Sequence, residues 1–114
     1  MKITICGSTQ FEPAWHEISK KLALAGHICY SLSAFPSIEG AKVWYNDNEK
    51  ELLDLIHLAK IEESDAIVVV NQGGYVGDST RREVMWAQLR RKPVYWLHSS
   101  THHQENISVL LGPR

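Results

Sequence analysis

Lys2 to Cys6 form an apolar run that breaks at Gly7-Ser8-Thr9-Gln10, after which Phe11, Trp15, Ile18, Leu22 and Ala25 recur at helical spacing. This predicts a strand, a loop and a helix. Gly26 stands where a residue just past a helix end would, and His27-Ile28-Cys29-Tyr30 predicts a second strand. From Ser31 to Asn46 the apolar positions lose their period, with Pro36, Gly40 and several aromatics, as expected of a long loop of the kind that often serves as a lid. Asp47 to Glu63 returns to an amphipathic helical pattern, stopped by Ser64-Asp65. Ala66 to Val70 is the most apolar run, the signature of a central parallel strand covered on both faces. A glycine-rich loop, Asn71 to Ser79, then leads to a third helix over Thr80 to Arg91. Lys92-Pro93 punctuates, and Val94 to Leu97 predicts a fourth strand. Ile107 to Leu111 fits either a fifth strand or the end of a short helix.

Strands alternating with helices imply right-handed crossovers and an open three-layer α/β sandwich, with four or five parallel strands and ligands at their carboxyl ends. If the first and third strands are neighbours, as in flavodoxin-like order, the Gly7–Gln10 and Asn71–Ser79 loops flank one crevice. The 114 residues fit a single domain, 1–114, short for an enzyme that encloses its site alone, so a partner subunit is expected to complete it. Twelve Lys and Arg nearly balance thirteen Asp and Glu, so phosphate binding must be local and duplex nucleic acid is not an expected partner. No segment has the length and apolarity of a membrane span or a secretory leader, and a cytoplasmic protein is expected. Cys6 and Cys29 read as small buried residues in a reducing compartment.

The candidate chemistry centres on the loop Asn-Gln-Gly-Gly-Tyr-Val-Gly-Asp-Ser-Thr-Arg-Arg-Glu, residues 71–83. The N–H groups that open the third helix can hold a phosphate, with Asn71, Gly74, Tyr75, Gly77, Ser79 and Thr80 as substrate-binding candidates. Gly7, Ser8, Thr9, Gln10 and Phe11 are their counterparts after the first strand, where Ser or Thr can equally be a simple helix cap. Glu83, with Asp78 nearby, is the candidate catalytic pair: a carboxylate can attack an anomeric carbon while a second polar group orients or protonates the departing base. The competing account is a capping box, in which Glu83 folds back to the Thr80 amide. Phe35, Trp44, Tyr45 and Tyr75 are loop aromatics able to stack on a base, cover the edge of the core or build a dimer contact. His98, His102 and His103 lack the cysteine or carboxylate that would complete a zinc set, and no metal is expected. His57 reads as a structural histidine unless its helix faces the crevice. The phosphate-loop and dinucleotide fingerprints are both missing, so no ATP or NAD cofactor is expected.

The ordered set Ile5-Cys6-Gly7-Ser8-Thr9, Ile61 to Val70, and Gly77-Asp78-Ser79-Thr80 through Glu83, with Ala87 and Lys92-Pro93-Val94, resembles the nucleoside 2-deoxyribosyltransferase superfamily. It looks most like small bacterial and phage members with a Gly-Gly-Tyr-(Ile or Val)-Gly-(Glu or Asp)-Ser-Thr-Arg-Arg-Glu loop. The resemblance implies a flavodoxin-like fold, a homodimer or higher homo-oligomer with sites near subunit contacts, and cleavage of an N-glycosidic bond by a glutamate matching Glu83. It also implies a nucleoside or nucleotide ligand, with any 5′-phosphate held at Gly77, Ser79 and Thr80, and no cofactor. Where the transferases carry two aspartates, this chain has Gly77 and His57. Hydrolysis of a nucleotide, and binding without turnover by a sensor or sequestering module, therefore stand beside transfer as expectations.

Overall fold

The computed structural model describes residues 1–36 and 44–112. The long loop expected over 31–46 therefore lies partly outside the described residues. Five strands form one sheet: β1 (Lys2–Gly7), β2 (Ile28–Tyr30), β3 (Ala66–Val70), β4 (Val94–Trp96) and β5 (Glu105–Asn106). Every pairing is parallel and the order is β2-β1-β3-β4-β5, the flavodoxin-like arrangement with its switch point between β1 and β3. Among the described residues three α-helices cover it, α1 (Glu12–Leu24), α2 (Asp47–Glu63) and α3 (Asp78–Leu89).

The period-two alternation of β1 splits its side chains between two cores. Ile3 and Ile5 join Val68, Val70 and Ile107 beneath Trp15, Ile18 and Leu22 of α1. Cys6 joins Ile67 and Val69 beneath Ile61 of α2 and Val84 and Ala87 of α3. All five residues of β3 are buried, as its unbroken apolar run predicts, each large aliphatic side chain contributing roughly 1.5–3 kcal/mol of transfer free energy.

Most boundaries fall within a residue or two of the sequence expectation, and three differences bear on the site and the core. The fifth strand is the polar pair Glu105–Asn106, while Ile107–Val109 form a 3-10 turn that drops Ile107 into the α1-side core. Gln72–Gly74 form another 3-10 turn within the glycine-rich loop. Most consequentially, α3 begins at Asp78, with Gly77 as its N-cap and no side-chain cap. Thr80 is thus already inside the helix and buried, and the capping box between Thr80 and Glu83 does not form.

Gly7 ends β1 opposite Val70 with φ at 150°, and a Cβ placed there would come within 2.7 Å of the Val70 carbonyl oxygen. The close approach of the two switch-point loops therefore requires glycine. Gly7→Ala is expected to cost roughly 2–4 kcal/mol, combining backbone strain with overpacking, as measured by chemical denaturation. A loss under 0.5 kcal/mol would show that β1 can shift to accept the methyl group.

Candidate active site

A cleft of about 330 Å³ opens at the carboxyl ends of β1 and β3. Gly7, Ser8 and Thr9 line one side, and Tyr75, Gly77, Asp78, Ser79, Thr80 and Glu83 another. Lys50, Leu53 and Asp54 of α2 close it, with Trp15, Leu32, Ala34, Pro36 and Tyr45 completing the wall. Its volume falls within the range of small-molecule pockets.

The two halves are positioned by local chemistry. After Gly7, the Ser8 hydroxyl caps a short 3-10 turn by accepting from the Gln10 amide, and the Ser8 carbonyl accepts from the Trp15 indole at 3.0 Å. This fixes the β1 loop against α1. Facing it, Gly77 caps α3, and the first turn of the helix, Asp78 to Thr80, lines the cleft with backbone N–H groups that have no intrahelical partner. A Cβ on Gly77 would lie 3.4 Å from the Tyr75 hydroxyl, so the backbone there stays close to the tyrosine.

Helix α2 contributes two residues that the sequence reading did not single out, Lys50 and Asp54, in line with His57, which it did. The start of the helix is fixed by a capping box between Asn46 and Glu49, and its buried residues are His57 and Ile61. Lys50, Asp54 and His57 then follow at spacings of four and three on one side. Lys50 pairs with Asp54 at 2.9 Å, and both line the cleft. A polar stripe interrupting an otherwise amphipathic helix was the signal available in the sequence.

Glu83 sits at the floor. Its side chain is 17 % exposed and its Oε2 lies 3.9 Å from His57 Nε2. Burial, reinforced by the negative charge of Asp54, pushes the Glu83 pKa up to about 7, against smaller opposing effects of Cys6, Arg82 and Lys50. His57 is buried, and burial together with the Lys60 charge lowers its pKa to about 4, so the ring is neutral at pH 7. The Cys6 thiol lies buried beneath the floor, 3.7 Å from His57 Nε2, its pKa raised by burial and by the Glu83 charge.

The other candidate residues divide by position. Asp78 is almost fully exposed at the rim, with Arg81 Nη1 3.6 Å from its carboxylate. The Ser79 hydroxyl accepts from Arg82 at 3.2 Å. Asn71 is buried with both ends of its amide engaged by the His98 backbone, at 2.8 Å each, so it clamps the β3 loop to β4. Gln10, Phe11 and Gly74 stand outside the cleft lining, with Phe11 edge-on to Tyr75 at 6.0 Å between ring centres. Both cysteines are free thiols. His102 and His103 stack at 4.1 Å on an exposed turn.

An open parallel sheet with an acid-floored cleft at its switch point defines this chain as a flavodoxin-like α/β protein. No protein-family model matches it, and no curated protein matches it in sequence. Solved structures share its fold. A 2-deoxyribosyltransferase from Bacillus psychrosaccharolyticus superposes with a TM-score of 0.60 at 19% identity, over 84% of this chain and 71% of that one. The CMP N-glycosidase BcmB of Clostridium botulinum gives 0.57 at 16% identity, over 97% and 80%. A conserved protein from Enterococcus faecalis V583 gives 0.64 at 17% identity, over 91% and 67%. Among the described residues no helix is long and apolar enough to cross a membrane.

Proposed function

We propose that the cleft binds a nucleoside or nucleoside 5′-monophosphate and that Glu83 cleaves its N-glycosidic bond. The observation that carries this reading is a carboxylate freed from any capping role and held, only 17 % exposed, at the floor of a cleft of about 330 Å³. Two structural neighbours, a deoxyribosyltransferase and a CMP N-glycosidase, support it. The first-turn amides at Gly77, Ser79 and Thr80 are suited to phosphate or sugar oxygens, and Tyr45 and Tyr75 to the base. The ionised Glu83 attacks C1′, and the bond to the base breaks with its electron pair going to the base nitrogen. The base takes up a proton at the open rim, where exposed Asp78 can order water. Water, or a second base, then releases the sugar from Glu83. These steps need no cofactor.

A chromatographic screen for free base over nucleosides and their 5′-monophosphates tests the reading. Release from at least one of them is expected; nucleotide-dependent thermal stabilisation without release would leave a binding module in its place. One observation favours that second reading: burial and Asp54 keep about half of Glu83 protonated at pH 7.

We further propose that a second copy of the chain covers the groove between α2 and α3. Leu55 on α2 and Met85 and Leu89 on α3 line this groove as exposed large apolar residues. The groove between these helices shares Asp54, Ser79 and Glu83 with the cleft, so a partner there would wall the site. Light scattering should give a dimer mass for wild type and a monomer for Leu55→Glu/Met85→Glu. A wild-type monomer at micromolar concentration would sink this proposal.

A further inference from the structure

Cys6, His57 and Glu83 arrive from three separate elements, β1, α2 and α3, and converge beneath the cleft. One donor atom from each lies within 4.8 Å of the other two. Cys6 Sγ is 3.7 Å from His57 Nε2, which is 3.9 Å from Glu83 Oε2. Around a tetrahedral zinc ion with bonds of about 2.0–2.3 Å, neighbouring donors stand roughly 3.3–3.8 Å apart. The two His57 contacts already stand near that spacing, while the Cys6 and Glu83 donors, no more than 4.8 Å apart, would close by up to about 1 Å as a cation enters from the cleft. The His57 ring is 2 % exposed and presents Nε2 to both the Cys6 thiol and the Glu83 carboxylate. Among the described residues this is the one group of three metal-ligating side chains so arranged.

We propose that Cys6, His57 and Glu83 form a binding site for a single thiophilic divalent cation of the zinc class. The sulfur and imidazole donors disfavour magnesium and calcium, which take oxygen ligands. The cation enters on the Glu83 side, the one ligand that lines the cleft, and its fourth position faces the cleft for water. A metal–sulfur bond forms as the Cys6 thiol proton leaves to solvent, with no change of oxidation state. Coordination also occupies the Glu83 carboxylate, so the bound cation inhibits glycosidic cleavage. That consequence, unlike the binding itself, rests on the function proposed above.

Titration of the full, reduced chain with Co²⁺, followed by absorbance, tests the site. A thiolate-to-cobalt charge-transfer band in the near ultraviolet is expected to saturate at one cobalt per chain and to be displaced by Zn²⁺. Cys6→Ser should abolish the band, and His57→Gln should weaken cobalt binding by at least about tenfold. Cys29→Ser and the pair His102→Ala/His103→Ala should leave it unchanged. No band in wild type, or a band that survives Cys6→Ser or disappears with Cys29→Ser, overturns the site. If Cys6→Ser does not fold, His57→Gln and Cys29→Ser decide, with the tenfold weakening and the unchanged band expected respectively. In the base-release assay, Zn²⁺ should inhibit wild type reversibly with a chelator, and His57→Gln should need at least about tenfold more zinc. A saturated cobalt band in a chain that releases no base leaves the site standing and removes the glycosidase reading. Base release that zinc leaves untouched at saturation removes the inhibition.

Discussion

Glu83→Gln is expected to lower kcat/KM for base release by at least about 1,000-fold while nucleotide binding, followed by thermal shift, changes little. The reasoning is stereochemical. Glutamine nearly reproduces the volume and hydrogen-bonding reach of a protonated glutamic acid, so the cleft floor and the helix around it persist. It cannot supply the anionic oxygen that must attack C1′. The same argument fixes a pH profile. Because burial and Asp54 push the Glu83 pKa up to about 7, the reactive carboxylate form shrinks as pH falls below that value. Wild-type kcat/KM should therefore drop about tenfold for each unit below roughly pH 6.5 and level off above pH 8. Equal rates in wild type and Glu83→Gln would remove Glu83 as nucleophile, and a profile flat from pH 5 to 8 would assign the limiting ionisation elsewhere.

The sheet could be read from the sequence because its evidence is local. The unbroken apolar run from Ala66 to Val70 and the alternation of strand and helix patterns lead directly to a parallel, doubly covered β3. The fifth strand escaped because Glu105 and Asn106 carry no apolar pattern at all, their pairing to Tyr95 and Trp96 being a backbone matter. Glu83 was visible as a candidate, but its role depended on where α3 starts. Two residues decide this: a helix beginning at Thr80 makes Glu83 a capping partner, whereas the helix that begins at Asp78 turns it towards His57 and Cys6. Asp54 and Lys50 belong to the cleft because α2 buries His57 and Ile61 against the sheet, which sets the rotation of the helix, a geometric effect that composition does not announce. His57 and Cys6, 51 residues apart, meet only once the crossover has folded.

Stability measured against pH should separate the two buried ionisable groups, because their shifts have opposite signs. Glu83 rises from 4.5 unfolded to about 7 folded, so between these values the native state binds more protons than the unfolded chain and stability falls as pH increases. His57 falls from 6.5 to about 4, so over that window the unfolded chain binds more protons and stability rises with pH. Each shift corresponds to a contribution of up to roughly 3 kcal/mol. In wild type the two slopes overlap from pH 4.5 to 6.5 and largely offset one another. Each replacement exposes one of them. With chelator present, Glu83→Gln should gain about 2–3 kcal/mol of stability between pH 4 and 6.5, and His57→Gln should lose about as much between pH 4.5 and 7, by urea denaturation. Groups elsewhere in the chain contribute the same background to all three curves, and a cavity left by a replacement shifts a whole curve without tilting it. At pH 8 Glu83→Gln should therefore be the more stable protein, by about 2–3 kcal/mol over wild type, because it no longer holds a charge at the cleft floor. That charge, on the proposed mechanism, is the one that performs the reaction, so the variant most stable at pH 8 should be the one without activity. Parallel stability curves for the three proteins would show that neither group is held in its shifted state by the fold.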